Sequence, residues 1–124
     1  MPRILSICTD DGLRASREAL LLKTGAEVLS ADFVTGMQLA TEQQFDLLVI
    51  GHSLHMEEAV PLVTVFRERW PGSKILHLGA LIQSERSQIP YDKSIDWMDG
   101  PEMFLRAARR LLRETASSSA SMQS

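Results

Sequence analysis

Apolar residues in this chain alternate along its length between short continuous runs and stripes at helical spacing. Ile4 to Ile7 is a brief run ending at Cys8-Thr9-Asp10-Asp11, where a carboxylate can accept from the free amides of a following helix. The pattern predicts a buried strand, a turn, and a helix over about 12–24 that stops at Gly25, a residue suited to the left-handed position after a helix. Ala26 to Ala31 reads as a second strand, and Asp32 stands as the cap of a helix over about 33–44. Asp46 to Ile50 is the clearest strand. It is continuously apolar after its first residue, β-branched at its end and punctuated by Gly51, as expected where both faces are covered.

From Ala59 onward Leu62, Val63, Phe66 and Trp70 recur at helical spacing, with Pro61 tolerated in the first turn and Pro71-Gly72 closing the segment. Lys74 to Leu78 predicts a fourth strand, ending at Gly79. The stretch 80–93 has a poor apolar pattern and is interrupted by Pro90, so it is read as at most a short helix. Ser94 to Met98 is a thin fifth strand, and Pro101 opens a last helix with Phe104, Leu105, Ala108, Leu111 and Leu112 on one face. Five strands alternating with helices over short turns predict an α/β domain, a doubly wound five-stranded parallel sheet with helices on both faces. Sites in such folds lie at the carboxyl ends of the strands, here Cys8 to Asp11, Gly51 to His55, His77 to Ala80 and Met98 to Gly100.

Composition narrows this picture. With 124 residues and 44% apolar content, one domain over 1–115 is expected, followed by a Ser/Ala-rich tail over 116–124 that has nothing to bury and is expected to be disordered. The net charge of -3 offers no general attraction to nucleic acid or to an anionic membrane, and neither is expected as a partner. Cys8 is the only cysteine, so no intrachain disulfide can form. The start Met1-Pro2-Arg3-Ile4-Leu5 lacks a signal-peptide pattern and no apolar run approaches the roughly 20 residues of a membrane span, so a cytoplasmic location is expected.

Four landmarks occur together: Arg3-Ile4-Leu5 opening the first strand, Asp46-Leu47-Leu48-Val49-Ile50 as the third, Lys74-Ile75-Leu76 as the fourth, and Asp96-Trp97 shortly before Pro101. On these residues the chain, from Arg3 to about Glu114, resembles the receiver domain of bacterial response regulators. The resemblance implies a flavodoxin-like sheet with strand order 2-1-3-4-5. It also implies a phosphorylation pocket. In that family an aspartate ends the third strand and takes a phosphoryl group, an acidic pair after the first strand holds magnesium, a Ser or Thr ends the fourth strand, and a Lys precedes a proline after the fifth. In this chain those positions fall on Gly51, on Cys8 and Thr9 with Asp10 just beyond, on Gly79, and on Gly100 before Pro101. The pocket is degenerate at every one of them.

The resemblance therefore implies a stand-alone pseudo-receiver that signals by protein–protein interaction, without aspartyl phosphorylation, cofactor or enzymatic activity. Two alternatives remain open: a response regulator of a phosphorelay with atypical activation, and a small metal- or ligand-binding protein on a flavodoxin-like fold. Cys8, His52, His55 and His77 are the residues that could serve the second, because thiolate and imidazole suit zinc or copper. A buried Cys8 and histidines in a solvated loop account for the same residues, no tight ligand spacing supports a site, and no metal is expected. Helix capping likewise accounts for Asp10 and Asp11, and tight turns for Gly51 and Gly79. Arg106, Arg109, Arg110 and Arg113 share one side of the last helix, opposite its apolar stripe. Trp97 takes the place of an aromatic that in receivers moves with the phosphorylation state. Trp97 and the arginines are expected to form the working surface, on the face of the last helix and fifth strand, toward an unidentified signalling protein or a second copy of the chain.

Overall fold

The computed structural model describes residues 2–51, 56–79, 91–96 and 100–123. Its strands are β1 (Arg3–Ile7), β2 (Glu27–Ala31), β3 (Leu47–Ile50), β4 (Lys74–Gly79) and β5 (Lys93–Asp96), and its helices are α1 (Asp11–Leu22), α2 (Phe33–Glu42), α3 (Met56–Arg69) and α4 (Pro101–Gln123). The strands form one parallel sheet in the order β2-β1-β3-β4-β5, the doubly wound order expected.

Because the sheet is covered on both sides, successive residues of a strand enter different cores. In β3, Leu47 and Val49 pack with Leu21 of α1 and Phe104 and Ala108 of α4, whereas Leu48 and Ile50 pack with Ala40 of α2 and Leu62 and Phe66 of α3. The helix starts are set by carboxylate caps. Asp10 accepts from the Leu13 amide and Asp32 from the Thr35 amide, each at 2.9 Å. The bond from Thr35 holds the Asp32 carboxyl below its ordinary pKa. Gly25, at φ 85°, closes the turn after α1 in the left-handed conformation that its position required.

The sheet edge is pinned by Asp92, whose Oδ2 accepts at 2.7 Å from both the Ile75 amide of β4 and Nη2 of Arg67 in α3. This ties the entry of β5 to the neighbouring strand and helix at once.

Most element boundaries lie within one or two residues of the expected ones, and the differences at α3, β5 and α4 bear on the site. α3 begins at Met56 rather than near Ala59, and its first turn carries Glu57 and Glu58, which complement the amino end of a helix. β5 begins at Lys93, while Trp97 and Met98 at its expected end lie outside the described residues, as does the 80–90 stretch of the expected short helix. α4 runs past the expected stop near Glu114 to Gln123. The segment holds neither Gly nor Pro, and Ala116 and Ala120 have the best intrinsic helix propensity, so nothing in it breaks the helix. Among the described residues, no helix is long and apolar enough to cross a membrane.

Candidate functional site

β1 and β3 end side by side, joined by a bond from the Gly51 amide to the Ile7 carbonyl at 2.9 Å. Into the space above these ends reaches Arg17 of α1, which is only 6% exposed. Burial this deep is rare for arginine. The helix dictates it: Arg17 lies one turn before the fully buried Leu21, on the inward stripe of α1. Its Nη1 donates to Cys8 Sγ at 3.3 Å, and the Cys8 thiol in turn donates to the Asp10 carbonyl at 3.6 Å. A Cβ placed on Gly51 would stand 2.5 Å from Arg17 Nη1 and 3.4 Å from Cys8 Sγ. The guanidinium thus occupies the volume in which any side chain at the end of β3 would begin. Burial pulls the Arg17 pKa down, while Cys8 and Asp10 push it back up. An arginine keeps its charge through such shifts.

The end of β4 is closed in a comparable way. A Cβ on Gly79 would lie 2.5 Å from Cε1 and 2.9 Å from Nδ1 of His77. The His77 ring is held there by stacking on Tyr91 and by a 3.0 Å bond between Nδ1 and Ser94 Oγ. Burial pushes the Tyr91 hydroxyl up to about 12. Gly100 adopts φ 97°, a conformation that a side-chain-bearing residue such as lysine rarely takes. Thr9 and Asp10 are exposed, and Asp11 pairs with Arg14, whose Nη1 donates to the Cys8 carbonyl at 3.1 Å.

Of the candidate metal ligands, the two among the described residues, Cys8 and His77, lie apart. Cys8 lies against Arg17 under α1, whereas His77 points to the other side of the sheet with Tyr91 and Ser94. His52 and His55 lie outside the described residues, among which no group of three metal-ligating side chains occurs. Trp97 is also outside them. Arg106, Arg109, Arg110 and Arg113 are all exposed on α4. Arg109 donates to the Lys23 carbonyl at 3.3 Å, so the row borders the end of α1, while Arg110 lines a shallow cleft with Asp92, Lys93 and Glu114 toward the start of β5. Sequence reasoning missed Arg17 altogether. The available signal was its place in line with Leu13 and Leu21, a cation on an otherwise apolar stripe.

No protein-family model matches the sequence, and no curated protein matches it. Solved structures do share the fold. The CheY-like response regulator receiver domain protein of Methanospirillum hungatei is 21% identical, with a TM-score of 0.79 over 95% of this chain and 98% of its own. A two-component transcriptional regulator of Clostridium phytofermentans is 14% identical, with a TM-score of 0.81 over 98% of this chain and 99% of its own. The receiver domain of the sensor histidine kinase PA1611 of Pseudomonas aeruginosa, solved with magnesium coordinated in its active-site cleft, is 19% identical, with a TM-score of 0.77 over 90% of this chain and 97% of its own. The chain therefore has the flavodoxin-like fold of CheY-like receiver domains.

The residues at this chain's strand ends do not fit magnesium. That ion requires near-octahedral oxygen ligation. Here Gly51 offers no side chain, the Cys8 thiol is soft, the Asp10 carboxylate caps α1, and a guanidinium fills the space between β1 and β3.

Proposed function

We propose that the chain is a receiver-like signalling domain that takes no phosphoryl group and acts by docking to another protein. The observation that carries this reading is the Arg17 guanidinium in the space above Gly51. Aspartyl phosphorylation needs a carboxylate nucleophile in line with the phosphoryl donor, a cation on the phosphoryl oxygens, and donors for the charge that develops. The first is absent at Gly51, the cation's ligands are replaced by Cys8 and Thr9, and Gly79 and Gly100 supply neither hydroxyl nor ammonium. What remains is a rigid α/β scaffold with an arginine-rich helix on its surface. The working surface in this reading is the row Arg106, Arg109, Arg110 and Arg113 together with Trp97, facing an acidic signalling protein.

Incubation with acetyl phosphate and magnesium, followed by intact-mass spectrometry, tests the reading. An unchanged mass is expected. A stoichiometric, acid-labile phosphoryl adduct mapped to any carboxylate overturns it.

A further inference from the structure

We infer that Arg17 is the resident cation of this pocket, a covalently held guanidinium that takes over the charge and space of a divalent ion and captures any carboxylate introduced at position 51. The inference deepens the closed-pocket reading, and its test is separable from that reading because it measures metal binding and stability rather than phosphoryl transfer.

Three observations converge on it. The guanidinium is at the place where carboxylates would meet: 2.5 Å from the first side-chain atom of residue 51, against Cys8, and near enough to Asp10 to feel its charge. It is built in rather than draped over the surface, since Arg17 is 6% exposed on a helix whose start is fixed by the Asp10 cap. Its neighbours suit it and not a metal. Cys8 Sγ accepts from Nη1 while the thiol proton goes to the Asp10 carbonyl, an arrangement in which a sulfur at an oxygen ligand's position is satisfied by a nitrogen donor. Gly51 and Arg17 are therefore a matched pair, because the missing side chain is what leaves room for the long one.

The consequence concerns a restored aspartate. The atom nearest the Gly51 Cβ direction is the far end of a flexible side chain, so Gly51→Asp needs only a small withdrawal of Arg17. The new carboxylate then meets five N–H donors in a fixed fork, a geometry that carboxylates accept in two parallel bonds. A carboxylate held this way is not available to magnesium.

The experiment compares wild type, Gly51→Asp, Arg17→Met and the double variant by thermal unfolding with and without magnesium chloride, and by manganese-induced broadening of the amide signals of Cys8, Asp10 and residue 51. Wild type and Gly51→Asp are expected to show no metal-dependent shift in Tm and no broadening, with Gly51→Asp folded. In the double variant the guanidinium is gone and the new carboxylate adds its charge to that of Asp10 with no cation to offset them, so Tm falls without metal, rises again with magnesium, and the signals broaden with manganese. Metal binding by Gly51→Asp with Arg17 in place overturns the inference. Failure of Gly51→Asp to fold also overturns it, since Arg17 would then not have captured the carboxylate. So does a double variant that ignores metal, or one that stays unfolded even in its presence. Arg17→Met alone reports the loss of the cation without a new carboxylate, and is expected to be destabilised and indifferent to metal.

Discussion

The imidazole of His77 lies flat against the phenol ring of Tyr91, with ring centroids 4.2 Å apart and planes 5° from parallel. Because Tyr91 is the chain's only tyrosine, this contact has a spectroscopic handle of its own.

Burial raises the Tyr91 hydroxyl from 10.0 to about 12, so the folded chain holds this proton more tightly than the unfolded one. The resulting stabilisation is fully present below the unfolded value, and it is lost as pH rises from about 10 toward 12. An ultraviolet titration should therefore show tyrosinate forming only near the upper end of that range or on unfolding. Tyr91→Phe, which keeps the stack, should flatten the alkaline decline in stability. Tyrosinate appearing at its ordinary pH in the folded protein would contradict the packing described.

Ser6 is 1% exposed, and its hydroxyl has no hydrogen-bond partner among the described residues. An unsatisfied buried hydroxyl costs about 1–3 kcal/mol, and alanine removes it with almost no change in shape. Ser6→Ala is expected to raise unfolding stability by about 1 kcal/mol in urea titration. A loss of stability would mean that the hydroxyl is satisfied in solution.

Gly36 packs α2 onto β1. A Cβ there would stand 2.5 Å from Cδ1 and 2.7 Å from Cγ1 of the fully buried Ile7. Alanine gains about 1 kcal/mol of helix propensity. Overpacking typically costs about 1–3 kcal/mol, so Gly36→Ala should be net destabilising by about 1 kcal/mol in the same titration.

The strands and caps were legible because their signals are local: a continuous apolar run at Leu47 to Ile50, carboxylates at Asp10 and Asp32 ahead of helical stripes, and Gly25 where a left-handed residue had to be. The strand order came from the resemblance, and the pairing of β3 with both β1 and β4 agrees with it. Gly51 and Gly79 were legible as positions without side chains. What covers them was not: Arg17 crosses from α1 to the β1 and β3 ends, and His77, two residues before Gly79 on the same strand, is held over it by a tertiary stack on Tyr91. A helical stripe shows that residue 17 faces inward, but only the packed chain shows what lies opposite.

Charge reversal of Arg106, Arg109 and Arg110 to Glu should leave the fold within about 0.5 kcal/mol of wild type, because all three are exposed and the packed residues Phe104, Ala108 and Leu111 are untouched. Capture of native partners from cell extract should be lost, and in wild type it should weaken with salt, since exposed charges are screened over about 8 Å at physiological ionic strength. A reversed chain that keeps the same partners at both low and high salt would show that the row is only a solvated face.

The His77 ring over Gly79 also bears on which side chains that position can accept. A hydroxyl-bearing residue at 79 would collide with the imidazole unless His77 first left its stack, just as a carboxylate at 51 would be seized by Arg17. Each glycine is thus covered by a neighbouring side chain, Arg17 over Gly51 and His77 over Gly79. A substitution at either one is also a change at its neighbour, because the new side chain needs the space that the neighbour holds. The carboxyl edge of the sheet is closed from within, by the chain's own side chains.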